Sequence, residues 1–164
     1  MTSEVIRPRA GGAIGVDDPR RADVIALLER HLAFSSSQTP PEHSFALDAG
    51  GLADPAITFF SFRAEDGQLL GIGALKLLGD GAGELKSMHT AAGARGRGVG
   101  RAIARHIIAA ARERGLTQLY LETGTTAGFA PARALYASAG FVPCGPFGGY
   151  PGTEDNTFRT LALD

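Results

Sequence analysis

The sequence predicts an α/β fold with a central mixed, mostly antiparallel sheet of six to seven strands flanked by about four helices. Three observations carry this expectation. Two apolar runs flank Asp66-Gly67, the strongest short hairpin signal, and a third strand-like run follows at 84–90. Between Gly96 and Gly115, Val99, Ile103, Ile107, Ala110 and Ala111 form one apolar stripe while Arg101, Arg105 and Arg112 face elsewhere, which is the pattern of an amphipathic helix. Another strand-like run comes directly after it. A meander followed by strand–helix–strand gives a mixed sheet with helices on both faces, not an all-parallel doubly wound one.

In chain order, Val5–Pro8 reads as a short first strand. Asp17-Asp18-Pro19 is a helix-start signal, a capping Asp followed by Pro at the first helical position. Val24, Ile25, Leu27, Leu28, His31 and Leu32 then keep helical spacing, so a helix is expected over 19–33. Ser35–Pro41 is a loop by composition, and Ser44–Ala49 a short helix closed by Gly50-Gly51. Ile57–Phe62, β-branched and aromatic, is a strand, and Leu69–Leu78 is its hairpin partner. Gly79–Gly83 is a turn and Glu84–Thr90 the third long strand. Gly115 closes the amphipathic helix and Leu116–Thr123 is a strand. Pro131–Ala139 is a helix ended by Gly140, and Phe141–Cys144 and Thr157–Leu163 are the last strands.

The chain has 164 residues, 44% of them hydrophobic and 20% charged, which suits one domain over 1–164 with a single core. Its formal net charge of −1 lacks the bulk electrostatic footprint of a nucleic-acid binder. The single Cys144 excludes an internal disulfide and a Cys-based structural zinc site. The four histidines lack metal-ligand spacing together, so no metal is expected. The longest apolar candidate for a membrane span, Leu69–Leu78, is broken by Lys76. These features point to a cytoplasmic protein with neither a nucleic-acid nor a membrane partner.

The turn Arg95-Gly96-Arg97-Gly98-Val99-Gly100, continued by Arg101, lies between a strand and the amphipathic helix. Its glycines permit positive φ and clear side chains from a concavity at a helix N-terminus, where successive N–H groups and the positive dipole end favour a phosphate. A Walker loop is absent, and Gly-x-Gly-x-x-Gly fails because the sixth residue is Arg101 counted from Gly96 and Ile103 counted from Gly98. What remains is Arg-x-x-Gly-x-Gly. The competing reading is a tight, solvated turn.

That string resembles the acyl-CoA pyrophosphate loop of the GNAT (GCN5-related N-acetyltransferase) superfamily. Ala134-Leu135-Tyr136-Ala137-Ser138-Ala139-Gly140-Phe141 is similar to the family's Leu-Tyr…Gly-Phe segment, and the element order matches the family fold from Val5 to the end. Glu84-Leu85-Lys86-Ser87-Met88, Leu121-Glu122-Thr123-Gly124 and Cys144-Gly145-Pro146-Phe147 look more specifically like a bacterial subgroup of small-molecule acetyltransferases. The resemblance implies transfer of an acetyl group from acetyl-CoA, as co-substrate, to a primary amine of a small, amino-acid-like acceptor. It implies a cofactor site at Arg95, Gly96, Arg97, Gly98, Val99, Gly100 and Arg101. The exposed backbone of Met88, His89 and Thr90 would pair with pantetheine where two strands part after Met88. Glu84 would be the general base and Tyr136 the proton donor to the departing thiolate. Many members carry an Asn seven residues before this Tyr, where Phe129 stands here, so pantetheine contacts there would be apolar or supplied by Thr123–Thr126.

Each role has a structural alternative. Glu84 is either the base or a solvated glutamate after a turn, and Tyr136 either the acid or a core aromatic. Strict alternation puts Glu84, Lys86 and Met88 on one face and a structural His89 on the other. Lys86 and Glu122 either form a buried ion pair or, with Phe147, touch the acceptor, Lys86 then holding its carboxylate. Gly145–Asn156 is a lid or a plain connection. Competing functions are a protein N-terminal or lysine acetyltransferase and a non-catalytic acyl-CoA-binding module. A homodimer is compatible with the resemblance.

Overall fold

The sheet has seven strands in the order β1-β2-β3-β4-β5-β7-β6, and only β4 and β5 run parallel. The structure, a computed structural model, describes residues 12–43 and 45–164. The strands are β1 Ala13–Val16, β2 Ile57–Arg63, β3 Leu69–Gly79, β4 Ala82–Thr90, β5 Gln118–Gly124, β6 Val142–Cys144 and β7 Asn156–Ala162. The helices are α1 Ala22–Gln38, α2 Ala49–Leu52, α3 Val99–Glu113 and α4 Ala130–Ser138. The expected mixed, mostly antiparallel architecture is therefore present.

Several boundaries differ from the sequence reading, each for a local reason. The expected strand Val5–Pro8 lies outside the described residues; β1 pairs with β2 instead, Ile14 opposite Phe62. The Asp18 carboxylate accepts from the Arg20 amide at 2.8 Å and forms a turn ahead of α1. The helix consequently begins at Ala22. It runs on through the serines read as a loop, because Ser37 Oγ donates back to the Phe34 carbonyl at 2.6 Å and so costs the helix little. Near Gly50-Gly51 the helix lies later than expected. Asp48 caps it by accepting from the Gly51 amide at 2.8 Å, and Leu52, not a residue before the glycines, anchors it in the core.

Two apolar clusters cover the two faces of the sheet. One packs α1 and α2 through Val24, Leu27, Leu28 and Leu52 against Phe59, Ile72 and Ala74. The other packs the α3 stripe Val99, Ile103 and Ile107 against Phe60, Phe62, Leu75, Leu85, Leu119 and Leu121, and it receives Tyr136 of α4. Alternating residues of β3 thus serve opposite helix layers, which is why the strand is apolar on both faces. Gly73 of β3 lies under α3, and a Cβ there would sit 2.7 Å from Ile103 Cγ2. This close approach seats α3 with its N-terminus beside the end of β4.

Candidate active site

The site begins with one extra residue. β3 and β4 pair as Ile72↔His89 and Ala74↔Lys86, so two steps on β3 face three on β4. The surplus is taken up at Ser87, a non-glycine residue at φ 56°. Pairing of β4 with β5 runs from Ala82↔Gln118 to Leu85↔Leu121 and stops there. Beyond that point β5 stays paired with β7 through Gly124↔Asn156 while β4 turns away. The parting thus comes three residues before the expected one after Met88, because the bulge bends β4 ahead of Met88.

The bulge also inverts the expected alternation. Met88 packs into the core cluster beneath α3, not beside Glu84 and Lys86. His89 points toward α1, where its Nδ1 lies 3.1 Å from His31 Nδ1. Burial, reinforced by mutual repulsion for His31 and by Arg95 and Arg30 for His89, lowers both imidazoles to about 4, so both stay neutral near pH 7.

A cavity of about 90 Å³ occupies the opening. Glu84, Lys86, Ser87 and Met88 line it from β4, Glu122, Thr123 and Gly124 from β5, and Ala132 and Tyr136 from α4. His31 and Ser35 of α1, Thr39, His43 and Phe45 from the segment before α2, and Asp155 before β7 also line it. Ser87 Oγ is buried at this place with no hydrogen-bond partner among the described residues.

Glu84 is 2% exposed and is not a solvated turn residue. Its Oε2 accepts from Lys86 Nζ at 3.1 Å and from the Tyr150 hydroxyl at 2.5 Å. Lys86 also contacts the Tyr150 hydroxyl and stands 5.2 Å from that ring's centroid. Lys86 therefore pairs with Glu84, two residues away on its own strand, and not with Glu122 as the sequence suggested. Burial and the Glu84 charge push the Tyr150 phenol upward, so it remains a donor. Tyr150 went unassigned in the sequence because its partner lies 66 residues away.

The connection carrying Tyr150 is held down by aromatic packing. Phe147 stacks on Tyr120 at 5.0 Å and meets Phe158 edge-on at 5.6 Å, and Tyr150 meets Phe45 at 5.4 Å. Phe147 thus belongs to this cluster, one layer away from the cavity lining. At its far end, Asp155 accepts from His43 and ties the connection to the segment before α2.

Glu122 stands on β5 just past the last β4 pair, half-buried on the cavity. Burial pushes its carboxyl up to about 7, while a hydrogen bond from Asn156 and the attraction of Lys86 pull the other way. Tyr136 is 7% exposed and lies edge-on to Phe141 at 6.2 Å. Its phenol is pushed upward by burial and, secondarily, by the Glu122 charge, so it too remains protonated.

The Gly-rich turn closes the other end of β4. Gly98 caps α3 at φ 79° and Gly96 lies at φ 78°, and a Cβ on either would meet open space. The first helical bond runs from the Ala102 amide to the Gly98 carbonyl at 3.0 Å. No carbonyl of the described residues accepts from the amides of Gly98, Val99, Gly100 or Arg101. These donors form an anion-binding N-terminus, with Arg95 and Arg101 exposed beside it. A Cβ on Gly100 would lie 3.7 Å from Thr90 Oγ1, so the turn abuts the end of β4. Glu84 to Thr90 spans about 20 Å at strand rise, from cavity to turn.

Comparison with known proteins agrees with this geometry. The model of the Acetyltransferase (GNAT) family matches residues 23–141. YedL of Escherichia coli strain K12, an uncharacterized N-acetyltransferase, is 47% identical over 150 residues, covering 92% of this chain and 94% of that protein. YsnE of Bacillus subtilis strain 168, also an uncharacterized N-acetyltransferase, is 42% identical over 150 residues, covering 92% of this chain and 99% of that protein. A solved structure from Klebsiella pneumoniae, provisionally assigned as an acyl-CoA N-acyltransferase, matches with a TM-score of 0.78 at 27% identity, covering 95% of this chain and 100% of that one.

Proposed function

Because the chain belongs to the GNAT family of acetyltransferases, we propose that it moves an acetyl group from acetyl-CoA to the primary amine of a small molecule, with both substrates bound at once. Acyl-CoA-dependent N-acetyltransfer is the family's activity; the acceptor class and the roles below are our reading. The observation that carries it is the line from the turn at Gly98, along β4, to a cavity that holds a carboxyl at about 7 and a buried phenol.

The residues present fit CoA. Unpartnered amides at the start of α3, flanked by Arg95 and Arg101, suit its pyrophosphate, and the unpaired edge of β4 beyond Leu85 offers backbone groups to the pantetheine arm. Acetyl-CoA would supply the activated thioester carbonyl. An alkylamine reaches the site as ammonium and must lose a proton before it can attack. Glu122 takes that proton. Its value of about 7 leaves a substantial fraction ionised near neutrality, and it faces the cavity without a cationic partner at ion-pair distance among the described residues. Glu84, the base expected from the sequence, is reassigned here to holding Lys86 and Tyr150. As the carbon–nitrogen bond forms and the carbon–sulfur bond breaks, Tyr136 donates its proton to the sulfur, and the amine's second proton restores the phenol. One proton in total leaves to solvent.

The test is thiol release from acetyl-CoA against a panel of small amines, run beside calorimetric CoA binding. We expect amine-dependent thiol release that falls in Glu122→Gln and Tyr136→Phe while CoA affinity holds. Tight CoA binding without turnover of any amine, or turnover confined to a protein N-terminus or lysine, overturns the reading.

A further inference from the structure

We infer that the acceptor is an amine bearing no carboxylate of its own, either a simple alkyl- or aralkylamine or an amine whose carboxyl is capped as an amide. This rests on the proposed acetyltransfer in the cavity between β4 and β5 and narrows its substrate class. The argument is an inventory of charge. Lys86 and His43 are the other basic side chains lining the cavity among the described residues, with His31 held neutral by burial. Each is already engaged. Lys86 donates to Glu84 at 3.1 Å and contacts Tyr150, and His43 is bonded to Asp155. Arg133, on the adjacent helix, spends one nitrogen on the Gly124 and Thr126 carbonyls, at 2.8 Å each.

The carboxyls are not balanced in the same way. Glu84 is paired with Lys86 and Asp155 with the His43 ring, whereas among the described residues Glu122 has the neutral amide of Asn156 as hydrogen-bond partner and no cation at ion-pair distance. The unmatched group in the cavity is therefore an acid. It welcomes an arriving ammonium and repels a second carboxylate. A carboxylate on the acceptor would have to compete with Glu84 for Lys86 or with Asp155 for His43, and drawing Lys86 away would leave the buried Glu84 without its partner, which is costly. Phe45, Ala46, Phe129 and Ala132 add apolar wall that suits a hydrocarbon body, and the hydroxyls of Ser35, Thr39, Ser87 and Thr123 beside them are uncharged and offer a carboxylate no counter-ion. The Lys86 carboxylate clamp considered from the sequence is thus the less favoured arrangement.

The experiment uses the wild-type protein and matched acceptors. Alanine, leucine and phenylalanine are each assayed as the free amino acid, as the amino-acid amide and as the decarboxylated amine, with acetyl-CoA saturating and thiol release as readout. The amide is less basic than the amino acid and the decarboxylated amine more so, so basicity cannot make both better than the acid. The expected result is kcat/KM at least about tenfold higher for the amide and the amine than for the acid in any series that turns over. An amino acid that matches or exceeds its amide and amine overturns the inference but leaves acetyltransfer standing. No turnover in any series, with CoA bound, overturns the acetyltransfer reading and the inference with it.

Discussion

Replacing Glu122 by glutamine separates its burial from its chemistry. Unfolded, this carboxyl titrates near its ordinary 4.5; folded, burial raises it to about 7. The folded state therefore holds the proton more tightly. The stability this contributes is complete below 4.5 and is lost as pH rises through about 7. At 1.36 kcal/mol per pH unit, the loss amounts to about 3 kcal/mol. Glutamine keeps the shape and cannot titrate. Relative to wild type, Glu122→Gln should gain about 3 kcal/mol at about pH 8 and almost nothing at about pH 4, read by urea denaturation followed by circular dichroism. Kinetics should move the other way. Wild-type kcat/KM should fall about tenfold per pH unit below about 7, and the variant should lose that limb together with about 10²–10⁴ in rate. A stability difference that does not change with pH would refute the burial argument. An intact acid limb in the variant would refute the assignment of the base.

Three further outcomes are expected. Gly98→Ala forces an L side chain into φ 79° with open space around it, so its cost is backbone strain of about 1–2 kcal/mol, visible as a lower Tm, along with weaker CoA binding by calorimetry. An unchanged Tm would count against the left-handed cap. Gly73→Ala puts a Cβ 2.6 Å from Met88 Sδ and 2.7 Å from Ile103 Cγ2, an overpacking worth about 1–3 kcal/mol in denaturant. Because burial holds His31 and His89 at about 4, the stability tied to their neutral forms is present above 6.5 and lost as pH falls through about 4. His31→Gln should lower the acid-unfolding midpoint seen by circular dichroism, and an unmoved midpoint would show that the pair does not govern acid lability.

What was legible in the sequence is what local patterns encode. The stripe Val99, Ile103, Ile107 marked a helix buried on one side, and the glycines before it marked a turn at its start whose outward amides favour a phosphate. Asp66-Gly67 marked the β2–β3 hairpin, with Gly67 at φ 91°. Tyr136 was singled out by the family segment, and the fold puts it on the cavity. What escaped depends on partners distant in the chain. Lys86 could have met Glu122 or Glu84; the choice was made by Tyr150, which lies in a Gly- and Pro-rich stretch without periodicity. His31 and His89 are 58 residues apart and meet only because α1 lies across β4. The α1 boundary failed because serines bonding back to their own helix look the same in a sequence as serines in a loop.

The largest error, the inverted face of Met88 and His89, has a single cause that also explains the site. Alternation along β4 holds only while each residue advances the register by one, and Ser87 at φ 56° breaks that count. A non-glycine residue there is strained by about 1–2 kcal/mol, so something around it must favour the arrangement. Gly73 is part of that support: it lies on β3 between the two pairs that frame the bulge, and its missing side chain is the space Met88 occupies. With Met88 turned into the core, His89 is left on the α1 side, β4 bends from β5 past Leu85, and Glu122 has no cross-strand neighbour on β4 while it stays paired with Phe158 of β7. Burial of Glu122 beside an opening, which sets its affinity for a proton, is thus a consequence of register on the opposite side of β4. The glycine that permits the bulge and the carboxyl that benefits from it do not touch, so the cleft is specified by the pairing of three strands rather than by the residues that line it.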